Sequence, residues 1–389
     1  MKELFSSPMG NFHLSSETNP KRNTDSSIQA WDAADEYILC RLSETKFAED
    51  TSSKLLILND HRGGLSCPLT GTKEAGRILV LTQSLTSRRA IEENCRRNRI
   101  QPPLFTNDDY FLKKEGNIEV ILMKIPRSLS YFEYQMAGLS KTLPPGTPII
   151  GGGMSKEMPL GFFEIFSRYT EGAEYSLIKK RARLYTGNLL SIPENKDFTY
   201  TYEVPEWDLR IKNLPGVFAM GKLDPGTRFL LEKFERLSKG FTEETPPRVI
   251  ADPGCGDGVL AMAAARKWPE AKVICTDESA QAVKSAEITG LENGLQERLS
   301  IIQTDLMEGI DDGSVDLILC NPPFHTSSRV SMDLPFLFIS ESARVLRPGG
   351  MLLLVANRHL GYTNTLNDHF TTARTIAQNK KFTIYTCRR

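Results

Sequence analysis

One strand-and-helix plan occurs twice in this 389-residue chain, and that repetition limits what it can fold into. In the first half, apolar residues recur at helical spacing over 28–42 (Ile28, Trp31, Ile38, Leu39, Leu42). "KLLILND" (54–60), "RILVLTQS" (77–84) and "IEVILMKIPRS" (118–128) read as strands, and "SRRAIEENCRRNRI" as a helix. "LSKTLPPGTPIIGGG" (139–153) reads as a helix end, a turn and a strand. In the second half, "RVIADPGCGDG" (248–258), "KVICTDES" (272–279), "LSIIQTDL" (299–306) and "VDLILCNPPFH" (315–325) read as strands with their exits. "ARVLRPGGMLLLVANRH" (343–359) again gives a helix end, a turn and a strand.

The halves align in order. Arg77 and Lys272 start equivalent strands 195 residues apart, Ile118 and Val315 are 197 apart, and Thr142 and Val345 are 203 apart. Strands alternating with helices predict α/β domains with parallel sheets covered on both faces. The shared proline turns point to duplication of one Rossmann-like domain. The expected boundaries are 28–195 and 196–389, with a polar, Ser/Thr/Asn-rich tail over 1–27 expected to be disordered. Thr-Tyr and Leu-Arg-Ile alternation within 188–216 predicts a hairpin leading into the second domain, and 218–234 holds a turn at Pro225 and Gly226 before a helix.

Composition narrows the function classes. No apolar run approaches the length of a membrane span, and the first 27 residues have no sustained apolar core of the kind a secretory signal needs. Seven cysteines, an odd number without a C-x-x-C pair, predict buried thiols in a reducing cytoplasm, no disulfide frame and no metal site. Basic and acidic residues balance at 48 each, so any nucleic acid must be met by a local patch.

The glycine turn carries the cofactor signal. "VIADPGCGDGVLAMAAA" leaves a strand and opens a helix, with Gly254, Gly256 and Gly258 allowing close approach to a ligand. The nicotinamide fingerprint needs a glycine where Val259 stands. Asp252 at the strand end suits a cationic amino group better than a pyrophosphate. Asp277, at the end of the next strand, lies at the distance from the turn at which an acid holds ribose hydroxyls. Asp305 is placed to meet an adenine amine. A nucleoside with a positively charged amino-acid tail fits this set, and S-adenosyl-L-methionine is such a molecule. Cys255, Glu278, Leu306 and Asn321 complete the expected cofactor contacts.

"CNPPFH" is the second signal. Asn321, Pro322 and Pro323, followed by Phe324, stand opposite Lys124, Ile125 and Pro126 of the first copy, where only the turn survives. Asp277 likewise stands opposite Thr82, and "DPGCGDG" opposite "NDHRGGL". The first copy keeps the strand framework and loses the polar site. In the second, the Asn321 oxygen and the Pro322 carbonyl can accept the two hydrogens of a planar exocyclic amine, and Phe324 can stack on its ring. His325 reads as a loop or RNA contact.

On these residues the second half resembles class I S-adenosylmethionine-dependent methyltransferases. The whole chain, the tail excepted, resembles bacterial ribosomal-RNA guanine-N2 methyltransferases, which carry a degenerate copy before the catalytic one. "IQAWDAADEYIL", "LLILNDHRGGLSC", "IKKRARLY" and "VANRHLGY" look most like the large-subunit (23S) branch; Pro253 departs from that pattern, where an aliphatic residue is commoner. The resemblance implies two tandem class I domains, 23S ribosomal RNA as partner and methyl transfer to the N2 amine of a guanine. Other readings stay open: the small-subunit (16S) branch, transfer to adenine N6 or to a protein glutamine, and a non-catalytic RNA-binding protein.

RNA contacts are expected at Lys179, Lys180, Arg181 and Arg183, which read also as a solvated helix face, with Arg358 at the substrate mouth or on plain surface. Arg88, Arg89, Arg96, Arg97 and Arg99 form a second basic cluster, which reads equally as a solvated helix face.

Overall fold

The computed structural model describes residues 3–16, 29–112, 117–193, 196–237, 241, 245–323 and 334–389. The chain divides into two compact units, Met1–Phe198 and Thr199–Arg389, each built on a seven-stranded sheet.

The first unit opens with a hairpin of β1 (Leu4–Ser7) and β2 (Gly10–His13), then α1 (Ala33–Ser43), β3 (Leu55–Leu58) and α2 (Ser66–Thr70). β4 (Ile78–Leu81), α3 (Leu85–Arg97), β5 (Leu104–Thr106), β6 (Val120–Lys124), α4 (Leu129–Thr142) and β7 (Pro148–Met154) follow. α5 (Leu160–Tyr169), β8 (Thr170–Tyr175) and β9 (Ala182–Leu189) close it. The second unit runs through the hairpin of β10 (Tyr200–Val204) and β11 (Leu209–Asn213), then α6 (Pro225–Leu237), β12 (Val249–Pro253), α7 (Val259–Lys267) and β13 (Lys272–Asp277). It continues with α8 (Ala280–Glu292), β14 (Leu299–Gln303), β15 (Val315–Cys320), α9 (Leu334–Val345), β16 (Leu346–Asn357), α10 (Thr363–His369), β17 (Thr372–Gln378) and β18 (Phe382–Arg388).

The two sheets have one topology. Their orders are β5-β4-β3-β6-β7-β9-β8 and β14-β13-β12-β15-β16-β18-β17. Five strands of each are parallel, and the last two join antiparallel. The duplication inferred from spacing is therefore visible as geometry.

The central strands β3, β6 and β15 are buried on both faces, as parallel strands between helices are. Leu317 and Leu319 of β15 pack toward α6 and α7, whereas Ile318 and Cys320 pack toward α9 and α10, which is the two-residue period of a pleated strand. Serine starts three helices that follow parallel strands, of which α3 and α8 are equivalent. Ser84, Ser128 and Ser279 each accept a backbone N–H of the first turn of α3, α4 and α8.

Several expectations need correction. The N-terminal tail is not wholly disordered: Phe5, Phe12 and Leu14 of the first hairpin are buried in the first unit's core. Averaged composition hid three apolar residues on one face of a short hairpin. The part of the expected tail at 17–28 lies outside the described residues. The helix expected over 28–42 runs Ala33–Ser43, because Asp32 and Asp35 form a capping box that fixes its start. Pro225 and Gly226 sit in the first turn of α6 rather than before it. Cys40 is exposed, while the other six cysteines are buried.

Candidate active site

The sheet order reverses between β12 and β15, and ligands of such folds bind at the carboxyl ends of strands beside that crevice. Ala251 lies beside Ile318, so the ends of β12 and β15 are level. The Asp252 side chain and Asn321 thereby reach the same edge.

Gly254, Gly256 and Gly258 all have positive φ, at 70°, 56° and 81°, which only glycine adopts cheaply. The turn is clamped to β13. The N–H groups of Gly254 and Cys255 donate to the Thr276 carbonyl, and that of Gly256 donates to Asp277 Oδ2 at 3.0 Å. Asp277 Oδ1 accepts from Ser279 at the start of α8, so one carboxylate ties both loops together. A Cβ on Gly256 would meet no atom within 4 Å, so the turn borders open space.

Asp252 is 2% exposed, and its Oδ2 accepts the N–H of Ala261, capping α7 from the neighbouring strand. Burial pushes its carboxyl up to about 8, and the charges of Asp257 and Asp277 add to the rise. Burial likewise raises Asp257 and Asp277 to about 6. Three crowded, desolvated carboxylates favour a bound cation, which would stabilise their ionised forms. The residues present therefore fit the amino-acid end of S-adenosyl-L-methionine. The Cys275 thiol and burial hold Cys255 well above the usual thiol range, so it is not a poised nucleophile.

Glu278 is half-buried beside Asp277, and its carbonyl accepts from Gln303. Asp305 is buried, but β14 ends at Gln303, so Asp305 belongs to the following turn and does not close the strand. Leu306 has φ 56°, and its carbonyl accepts from Thr276 Oγ1 at 2.7 Å.

Asn321 follows β15. Its Nδ2 donates to Asp224 Oδ2 at 3.0 Å and to Thr227 Oγ1 at 2.8 Å. Its Oδ1 is buried and has no hydrogen-bond partner among the described residues. Pro322 is buried and Pro323 exposed. Phe324 and His325 lie outside the described residues. Arg358 is exposed in the turn after β16, on the same edge of the sheet.

The corresponding edge of the first unit is filled from within. Lys124 Nζ lies 2.6 Å from Asp32 Oδ1 and 3.0 Å from Asp35 Oδ1 at the start of α1. Asn59 is committed to Gln135 and to the Lys124 carbonyl. Asp60 accepts the N–H groups of Gly63, Leu65 and Ser66.

Lys179, Lys180 and Arg181 stand on the turn between β8 and β9 rather than on a helix. Lys180 and Arg181 both have positive φ, at 46° and 70°, as the central residues of a tight hairpin turn require. Lys179 lies 4.8 Å from the Tyr37 ring, and Lys180 pairs with Glu36. Arg183 is half-buried with its guanidinium over Tyr175 at 5.1 Å, which makes it the least available of the four. On α3, Arg88 pairs with Glu92, and Arg96 and Arg97 with Glu93, so much of that cluster is neutralised locally.

The sequence reading missed Asp224, Thr227, Tyr202, Asn213 and Asp257. Tyr202 Oη and Asn213 Nδ2 both donate to Asp257 Oδ2, pinning the β10–β11 hairpin to the glycine turn. The run Asp-Pro-Gly-Thr at 224–227 was a legible helix start. Nothing local says which distant side chain it meets.

A parallel sheet of this order, closed by an antiparallel pair and carrying this glycine turn and these strand-end acids, defines a tandem class I methyltransferase. The profile of the methyltransferase small domain matches residues 208–386, and that of the RLMG N-terminal domain matches residues 2–190. Ribosomal RNA large subunit methyltransferase G of Shewanella sp. (strain MR-4) is 35% identical over 370 residues, 94% of each chain. The protein of that name from Pseudoalteromonas translucida (strain TAC 125) is 31% identical over 379 residues, 97% of this chain and 96% of its own. The chain belongs to the ribosomal RNA large subunit methyltransferase G family. The solved T. Thermophilus 16S rRNA N2 G1207 methyltransferase, in complex with AdoMet and guanosine, shares the fold. Its TM-score is 0.76 at 21% identity, over 99% of this chain and 97% of that one.

Proposed function

We propose that the chain transfers a methyl group from S-adenosyl-L-methionine to the exocyclic N2 amine of one guanine in 23S ribosomal RNA. The buried Oδ1 of Asn321, at the carboxyl end of β15 and without a hydrogen-bond partner among the described residues, carries this reading. An unpaired buried acceptor costs stability, and a functional site where a donor arrives is one setting that retains it. The amine of guanine is such a donor, and its lone pair is delocalised into the ring. An acceptor on its N–H favours a localised lone pair, and the Pro322 carbonyl would take the second hydrogen.

Asp252, Asp277 and the turn 254–258 would hold the cofactor, with Glu278, Asp305 and Leu306 flanking them. When bound, S-adenosyl-L-methionine supplies an electrophilic methyl group. The chain supplies position: a clamped glycine turn, a desolvated carboxylate cluster and an oriented amide. Unit one keeps the fold, but Lys124 and its two carboxylates occupy the edge at which unit two carries Asn321. Its contribution is then RNA positioning through the exposed turn at Lys179, Lys180 and Arg181. The relatives' name supports the large-subunit substrate.

The test is methyl transfer to 23S rRNA from a strain lacking the protein, with the modified base located by primer extension. Asn321→Ala should lower turnover by at least roughly 10²–10³-fold, while calorimetry still shows S-adenosyl-L-methionine binding, because the glycine turn, Asp252 and Asp277 are untouched. Unchanged turnover would remove the assigned role.

A further inference from the structure

Asn321 presents an oxygen rather than a nitrogen to the site because something holds its amide that way round. The two ends of an amide differ little in shape, so a lone asparagine at a strand exit could turn over. Here Nδ2 faces two groups at once, the Asp224 carboxylate at 3.0 Å and the Thr227 hydroxyl at 2.8 Å. An ionised carboxylate only accepts hydrogen bonds, so the nitrogen must face it.

These partners are themselves fixed. Asp224 caps α6, accepting the Thr227 N–H on Oδ2 at 2.9 Å and the Arg228 N–H on its backbone carbonyl at 2.8 Å. α6 is anchored by Phe229, Leu230, Leu231 and Phe234 in the core. Gly226 permits the close approach: a Cβ there would stand 3.0 Å from Asp224 Oδ2, 3.2 Å from the Phe382 ring and 3.5 Å from Asn321 Oδ1.

We propose that Asp224 and Thr227 are positioning residues for the transfer, acting through Asn321. They fix its amide so that Oδ1 receives the target N–H. This rests on the function proposed above and goes beyond it by assigning the start of α6 to the chemistry. A plain structural tie between the strand exit and the helix start would not need to leave the Asn321 oxygen without a partner among the described residues. The first unit shows such a tie: Lys124, Asp32 and Asp35 make the same connection and partner one another.

The test uses the full chain with 23S rRNA from a strain lacking the protein. Thr227→Val keeps the shape and removes one acceptor, and Thr227→Ser restores it. Asp224→Asn keeps a good helix cap but can turn an N–H toward Asn321. Turnover should fall by about 10²-fold in Thr227→Val and Asp224→Asn and return in Thr227→Ser. KM for RNA and calorimetric affinity for S-adenosyl-L-methionine should stay within about twofold, with the thermal midpoint unchanged. Wild-type turnover in both variants would overturn the proposal, and so would loss of cofactor affinity in step with turnover. Wild-type protein that methylates no guanine would sink the proposed function and this inference together. An active wild type with insensitive variants would sink the inference alone.

Discussion

At the scale of single residues, the site places several polar groups, Asp252 and Asp257 among them, where water reaches them little. Asp252 has the clearest consequence. Its carboxyl rises from 3.8 to about 8 through burial first. Below about pH 4 it is protonated in both the folded and unfolded chain. As pH rises toward about 8, the unfolded chain releases the proton before the fold does, so this group's contribution to stability is progressively lost. A cation bound beside it reverses the preference and expels the proton. Cofactor affinity should therefore increase between pH 6 and 8, by up to about tenfold per unit. Calorimetry across that range checks it, and Asp252→Asn should flatten the dependence. A flat profile in the wild type would show that Asp252 does not meet the cofactor's charge. Asp252 and Asp277 were legible as strand-end residues, whereas Asp257 in the glycine turn was not. The strained protonation of all three was hidden, because burial depends on what packs over them.

At the scale of elements, local signals and tertiary packing divide the work. The strands were legible because a buried strand is a short apolar run bounded by glycine and proline. Ser84, Ser128 and Ser279 started helices as serines at N-caps do. The first hairpin escaped, since four-residue strands in a polar stretch leave little periodicity to read. Yet Phe5 is 1% exposed, with its ring 4.8 Å from that of Trp31. Phe5→Ala should cost about 3–5 kcal/mol. Urea titration followed by fluorescence reports this through Trp31, the one tryptophan of the first unit, since Trp207 and Trp268 lie in the second. A loss under about 1 kcal/mol would show that the hairpin is not part of the core. The start of α6 shows the other limit: its cap was readable, but its partner Asn321 lies 97 residues from Asp224.

At the scale of the whole molecule, one topology is used twice with different contents. Charge balances over the chain at 48 basic and 48 acidic residues, so an RNA surface has to be local. The turn at Lys179, Lys180 and Arg181 is an exposed basic feature, with Lys180 paired to Glu36. Reversing those three charges should weaken 23S rRNA binding and lower the steepness of its salt dependence by about 2 on a log–log plot, leaving cofactor affinity unchanged. Equal RNA affinity in a filter assay would count against this surface. The order of residues by itself determined the repeat, the strand and helix alternation, the glycine turn and the erosion of the first copy, because periodicity, turn chemistry and aligned spacing are local properties. Only the tertiary structure decided which acids lose their water, which lysine fills the first unit's edge and which side chains orient Asn321. Burial and hydrogen-bond partners are set by residues far apart in the chain, and no local pattern encodes their meeting.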